Sequence, residues 1–195
     1  LGAMSAAKVG YSTVIADTIS IVEQALVSFP HKQWEAATNI LAKARSVISF
    51  GIGTAAIPAD YLALQLSRIG VRAESITMTG FRLADRILSI DKYCAVIAFA
   101  PIRDTRELRA ILAQANQAGA RVILVSESLG MLLQKQVDIL ITTPSSIRST
   151  SSESIVPLIM SHALALAVAS TRPHEAVKAM SELNRLRADI VGGEL

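Results

Sequence analysis

Five short apolar runs recur along the chain, at residues 47–50, 73–76, 95–99, 122–125 and 139–142, with helical patterns between them at about 57–68, 81–88, 105–118 and 129–134. A nearly uninterrupted apolar run is the mark of a strand covered on both faces. The apolar spacing between the runs shifts to three and four residues, the period of a helix. Strands that alternate with helices of this length build parallel βαβ units, so the chain is predicted to be α/β. The expected architecture is a three-layer α/β/α sandwich around a five-stranded parallel sheet, with a flavodoxin-like or Rossmann-like topology. Hydrophobic residues make up 51% of the chain and aromatics only 4%. The core must therefore be aliphatic, which suits helices packed on a parallel sheet better than a β-sandwich.

Two helical patterns precede the first strand. Residues 11–29 carry Val14, Ile15, Ile19, Val22, Leu26 and Val27 at helical steps until Pro30 stops them, and 31–43 place Trp34, Ala37, Ile40 and Leu41 on one face. Residues 11–45 thus read as an N-terminal helical arm or packing layer, and residues 1–10 as a tag remnant or disordered segment. A Ser/Thr-rich loop over 142–153 leads from the last strand into an apolar helix over 155–170, and a final helix covers 174–189. That apolar stretch falls short of the roughly 20 residues of a membrane span and contains Pro157 and His162. With no signal-peptide pattern at the start, the chain reads as soluble and cytoplasmic, with no membrane partner. Its net charge of +3 comes from 19 basic and 16 acidic residues without a Lys/Arg run, so these residues do not form a nucleic-acid grip. The single cysteine, Cys94, sits in a strand and reads as a buried filler, and one chain cannot form a disulfide or zinc set with it. No metal or cofactor is expected.

The junction Ser46-Val-Ile-Ser-Phe-Gly-Ile-Gly-Thr-Ala-Ala locates the candidate site. A strand ends, Gly51 and Gly53 permit a sharp turn, and a helix begins at once. At such junctions ligands collect on the carboxyl edge of a parallel sheet, where helix N-termini offer unpaired N–H groups to an anion. Alone, a Gly-x-Gly turn can also be a tight connection that binds nothing. Asp104, with Glu107 three residues on, is expected to cap the helix over 105–118. Gly70 and Gly119 are placed to close helices.

These segments carry a family likeness. Gly51-Ile-Gly-Thr-Ala, Val96-Ile-Ala-Phe-Ala-Pro-Ile-Arg-Asp-Thr-Arg-Glu-Leu, Ala118-Gly-Ala-Arg-Val-Ile-Leu-Val-Ser-Glu-Ser and Val137-Asp-Ile-Leu, in this order, resemble the sugar isomerase (SIS) domain. Leu183-Asn-Arg-Leu-Arg-Ala-Asp-Ile-Val-Gly resembles the ending of the sugar-sensing domain in RpiR-type bacterial transcription regulators. The likeness spans residues 12–192, with the SIS domain itself over 46–192. It implies a phosphosugar held by hydroxyls and backbone N–H groups of three loops.

In the family the first loop reads Gly-x-Gly-x-Ser; here Ala55 replaces the serine while Thr54 keeps a hydroxyl. The second reads Ser-x-Ser-Gly-x-Thr before Glu; here Ala100, Pro101, Ile102, Arg103 and Asp104 stand in its place, and only Thr105 and Glu107 persist. Asp104 would add negative charge where a phosphate sits, which Arg103 or Arg106 could offset by gripping an anion bidentately. The third supply is Ser146, Arg148, Ser149, Thr150, Ser151, Ser152 and Glu153. These residues either contact a ligand or form a solvated linker in which Ser151 or Ser152 caps the next helix. The resemblance thus nominates Gly51, Gly53, Thr54, Ala55, Arg103, Thr105, Arg148, Ser149, Thr150, Ser151, Ser152 and Glu153 as ligand-binding.

Isomerisation of a sugar needs a base and an acid. The titratable candidates are Glu107, Glu127, Glu153, His162 and His174, and no two of them share a motif with a defined spacing. The favoured reading is an effector-sensing and dimerising domain of an RpiR-type regulator. It would bind a small anionic metabolite such as a sugar phosphate, and reach DNA only through a helix-turn-helix outside this sequence. A stand-alone phosphosugar isomerase and a dimerisation module with a lost or altered ligand are the alternatives. Pairing into a homodimer or higher homo-oligomer is expected through exposed apolar residues such as Leu158, Leu164 and Val168.

Overall fold

The innermost strand shows why the sheet forms. All six residues of β3 (Cys94–Phe99) are buried, as are five of the six in β1 (Ser46–Gly51) and in β4 (Arg121–Ser126). A computed structural model describes residues 10–144 and 154–192. With β2 (Ala73–Ile76) and β5 (Ile139–Thr142), which are less covered, these strands make one parallel sheet in the order β2-β1-β3-β4-β5. This is the flavodoxin-like order, and the chain reverses its direction of travel across the sheet between β1 and β3.

Alternate residues feed two cores. Val47, Ile97, Val125 and Ile141 face α2 (His31–Lys43), α3 (Ala56–Arg68) and α7 (Ile155–Thr171) through Leu41, Leu62 and Leu164. Ile48, Phe50, Val96 and Leu124 face α4 (Phe81–Ile87), α5 (Arg106–Ala118) and α6 (Gly130–Leu133) through Leu83, Ile111 and Leu133. Because both faces are covered, none of the central strands alternates polar and apolar residues. Gly70 and Gly119 follow α3 and α5 at φ of +80° and +73°, as the sequence suggested.

The first helix, α1 (Tyr11–Ser28), buries Ile21 and Ala25, and its end meets α2 at 88° around a stacked Phe29–Trp34 pair with ring centroids 6.2 Å apart. The last, α8 (Pro173–Val191), follows α7 at 112°. No single helix among the described residues is long and apolar enough to cross a membrane.

One expectation is overturned by α7. Leu164 and Val168 are buried against the sheet and α3, so they cannot be the exposed residues of a pairing surface. The outer face of α7 instead shows Ile159, His162 and Leu166. His162 is hydrogen-bonded as expected, through Nδ1 to the Tyr61 hydroxyl at 3.0 Å, yet it is exposed and outside the core.

Candidate functional site

A cavity of about 510 Å³ opens at the carboxyl edge of the sheet between the ends of β1 and β3, the point where the strand order reverses. In open α/β sheets this crevice is where ligands bind, and the volume suits a small metabolite. Ile52, Gly53, Thr54 and Ala55 form one wall, and Ala100 to Arg103 with Thr105 form the other. Phe50, Phe99 and Leu108 make an apolar floor, and Thr79 closes one side.

The two glycines of the turn play different parts. Gly53 lines the cavity at φ +63°, with nothing within 4 Å of where a Cβ would stand, so it is needed for its left-handed backbone. Gly51 is buried at the end of β1 and does not line the cavity. A Cβ there would sit 2.1 Å from the carbonyl oxygen of Ala55. Its lack of a side chain lets the 3-10 turn Gly53–Ala55 fold back onto the strand and start α3 directly. The turn is tied down by Ser154, whose hydroxyl donates to the Thr54 carbonyl at 2.7 Å.

The second wall is fixed through one carbonyl. Pro101 O accepts from Ser126 Oγ at 3.0 Å, Glu127 N at 2.9 Å and Ser128 N at 3.1 Å. Ser126 Oγ accepts in turn from Leu129 N at 3.0 Å. The loop after β3 is thereby stapled to the end of β4, and it holds Ile102 beside the opening without filling it.

Asp104 does not cap α5. Thr105 occupies the N-cap, its Oγ1 accepting from Leu108 N at 3.1 Å, while Glu107 lies in the first turn. The carboxylate of Asp104 turns away to Arg109, whose Nε lies 2.9 and 3.0 Å from its two oxygens and whose Nη2 also bonds it. Arg109 holds the Asp104 carboxyl below the usual carboxylate range. The expected repulsion of an anion by Asp104 is removed, because that charge is spent on Arg109 and lies outside the cavity lining. Arg103 lines the cavity, and it has no carboxylate partner among the described residues. Thr105 can still donate its hydroxyl proton while its oxygen caps the helix. Thr105→Ala should cost about 1 kcal/mol of stability by removing the cap, whereas Thr105→Ser should stay near wild type; thermal melts of the two variants check this.

Of the nominated residues, Gly53, Thr54, Ala55, Arg103 and Thr105 share this cavity. The Cβ of Ala55 adds apolar surface where the resemblance implied a hydroxyl. Arg148, Ser149, Thr150, Ser151, Ser152 and Glu153 lie outside the described residues, as does Ser146. Ser154 stands at the N-cap position of α7, but its hydroxyl serves Thr54 rather than the helix. Thr79 was missed by sequence reasoning. Its signal was the run Thr77-Met-Thr-Gly80 just past β2, another carboxyl-edge loop of the kind that carries function. Among the described residues no three His, Cys, Asp or Glu side chains stand together as a metal set.

The sequence profile of the SIS domain matches residues 40–169. No curated protein sequence matches the chain. Solved structures do. The sugar isomerase domain of an RpiR transcription factor from Sphaerobacter thermophilus superposes with a TM-score of 0.81, at 22% identity, over 89% of this chain and 97% of that one. The Vibrio vulnificus NanR protein complexed with ManNAc-6P gives 0.81 at 15% identity, over 92% of this chain and 69% of that one. A protein of E. coli CFT073, c3406, in complex with a sugar phosphate, gives 0.70 at 20% identity, over 82% of this chain and 88% of that one.

Proposed function

The chain belongs to the SIS domain family, and from that premise we propose that it is the effector-sensing and dimerising part of an RpiR-type transcriptional regulator whose DNA-reading module lies outside this sequence. One observation carries the reading. The cavity at the strand reversal sets Arg103, which has no carboxylate partner among the described residues, beside the hydroxyls of Thr54, Thr79 and Thr105. Its lining contains no carboxylate or imidazole among the described residues. Such a lining is built to hold an anion and has no group to pass a proton between carbons. Two structural neighbours, NanR and c3406, are complexes with sugar phosphates, which favours a phosphorylated sugar or related anion as effector here.

A thermal-shift panel of sugar phosphates, sugar acids and small carboxylates tests this. A ligand at 100 times its dissociation constant stabilises the chain by about 2.7 kcal/mol, a rise of roughly 5–10 °C for a domain of this size. Arg103→Ala should weaken the binding about tenfold or more, the loss of one charged hydrogen bond. A panel with no shift would leave the dimerisation module as the better reading, and aldose–ketose turnover by the chain would make it an isomerase.

A further inference from the structure

At the opposite, amino edge of the sheet lies a second cavity of about 490 Å³. Its rim holds four cations from separate parts of the sequence: Lys43 at the end of α2, Arg45 just before β1, Lys92 just before β3, and Arg121 at the start of β4. The topology brings them together, because Ser46 pairs with Cys94 and Ala95 with Arg121 in the parallel register. Tyr93 and Cys94 also line it.

This rim is ordered by contacts of its own. The Arg45 guanidinium lies 3.9 Å from the centre of the Tyr93 ring, and Lys92 Nζ lies 5.1 Å from it. Arg45 N also donates to the Tyr93 carbonyl at 2.9 Å. Two carboxylates stand nearby, and both are engaged. Asp91 accepts from Tyr93 N at 2.8 Å and from the Cys94 thiol at 3.3 Å, and faces Arg45 at 3.9 Å. The bond from Tyr93 N–H holds the Asp91 carboxyl below its usual range. Asp138 accepts from Val122 N at 2.7 Å and pairs with Arg121 at 3.1 Å. Lys43 and Lys92 have no carboxylate partner among the described residues. Compensation of a helix dipole accounts only for Lys43, which alone lies in a helix's last turn; the others stand at strand starts.

We infer that this amino-edge cavity is a second anion site, distinct from the carboxyl-edge pocket, and that it takes a compact phosphate polyanion of the pyrophosphate type. Concavity of this volume fits a small molecule rather than a nucleic-acid groove. Convergence of four cations on one opening matches clustered negative charge, which a single-charge anion would not satisfy.

Calorimetric titration of the whole chain with pyrophosphate, against sulfate at matched ionic strength, provides the test. Saturable binding in preference to sulfate is expected, weakened at least about tenfold in Lys43→Ala/Lys92→Ala and unchanged in Arg103→Ala. Both lysines are exposed, so the double variant should fold as wild type does. Pyrophosphate should also slow alkylation of Cys94, the chain's single thiol, which lines the cavity. Equal binding of sulfate, undiminished binding by the double variant, or loss of binding in Arg103→Ala would each overturn the site. The last result would place pyrophosphate in the carboxyl-edge pocket instead. Conversely, a carboxyl-edge pocket that binds no effector leaves this experiment readable.

Discussion

Gly51→Ala is expected to destabilise the chain by about 3 kcal/mol or more, the upper range of overpacking costs. Backbone conformation is not the reason, since Gly51 is a strand residue outside the positive-φ glycines. The added methyl would stand 2.1 Å from Ala55 O and 2.6 Å from Ala55 C, and both are backbone atoms. No rotamer change relieves such a contact. The 3-10 turn and the first turn of α3 would have to move away from β1, against the hold of Ser154 on Thr54 O. That turn is one wall of the cavity, so effector binding should fall along with stability. Gly53→Ala offers the comparison. It meets no atom within 4 Å, and its cost is the left-handed backbone of about 1–2 kcal/mol. Urea unfolding of both variants, read as a change in midpoint at constant slope, measures the difference. Near-wild-type stability of Gly51→Ala, or the reverse ranking of the two, would refute this account of the turn.

The same pair shows where sequence reading stops. Gly-x-Gly after an apolar run located the site, because a strand end followed at once by a helix allows few geometries. It could not say that one glycine is crowded and the other left-handed, since that depends on how far the turn folds back. The five strands were legible because burial on both faces leaves apolar runs with little to confuse them, β3 being the extreme case. The cap of α5 was not. Asp104 and Thr105 are both good N-caps, and the choice is made by Arg109 one turn on and by the stapling of the Pro101 carbonyl to β4. Both are contacts that spacing alone does not rank. Thr79 escaped notice because its partners across the cavity come from β1 and β3, distant in sequence.

Leu164→Ala is the second large effect expected, a loss of about 3 kcal/mol or more, as for leucines removed from well-packed interiors. Leu164 has 0% exposure and packs in the core that α7 shares with α3 and the sheet. Two residues on, Leu166 is 59% exposed, and Leu166→Ala should change the stability of an isolated chain by no more than about 0.5 kcal/mol. In the sequence these leucines are equivalent, for α7 is apolar around most of its circumference and has no polar stripe to mark its outer side. Ile159 and Leu166, with Ile15, Ile19 and Leu26 of α1, leave more apolar surface exposed than scattered single residues would. If the proposed dimer forms there, Leu166→Asp should shift the mass in light scattering from twice 20.7 kDa to 20.7 kDa while leaving the fold intact by circular dichroism. A wild-type chain that is monomeric at micromolar concentration would remove pairing from the proposed function. A dimer indifferent to Leu166→Asp would move it off this face. In either case the Leu164→Ala penalty should persist, because it belongs to the interior of each chain.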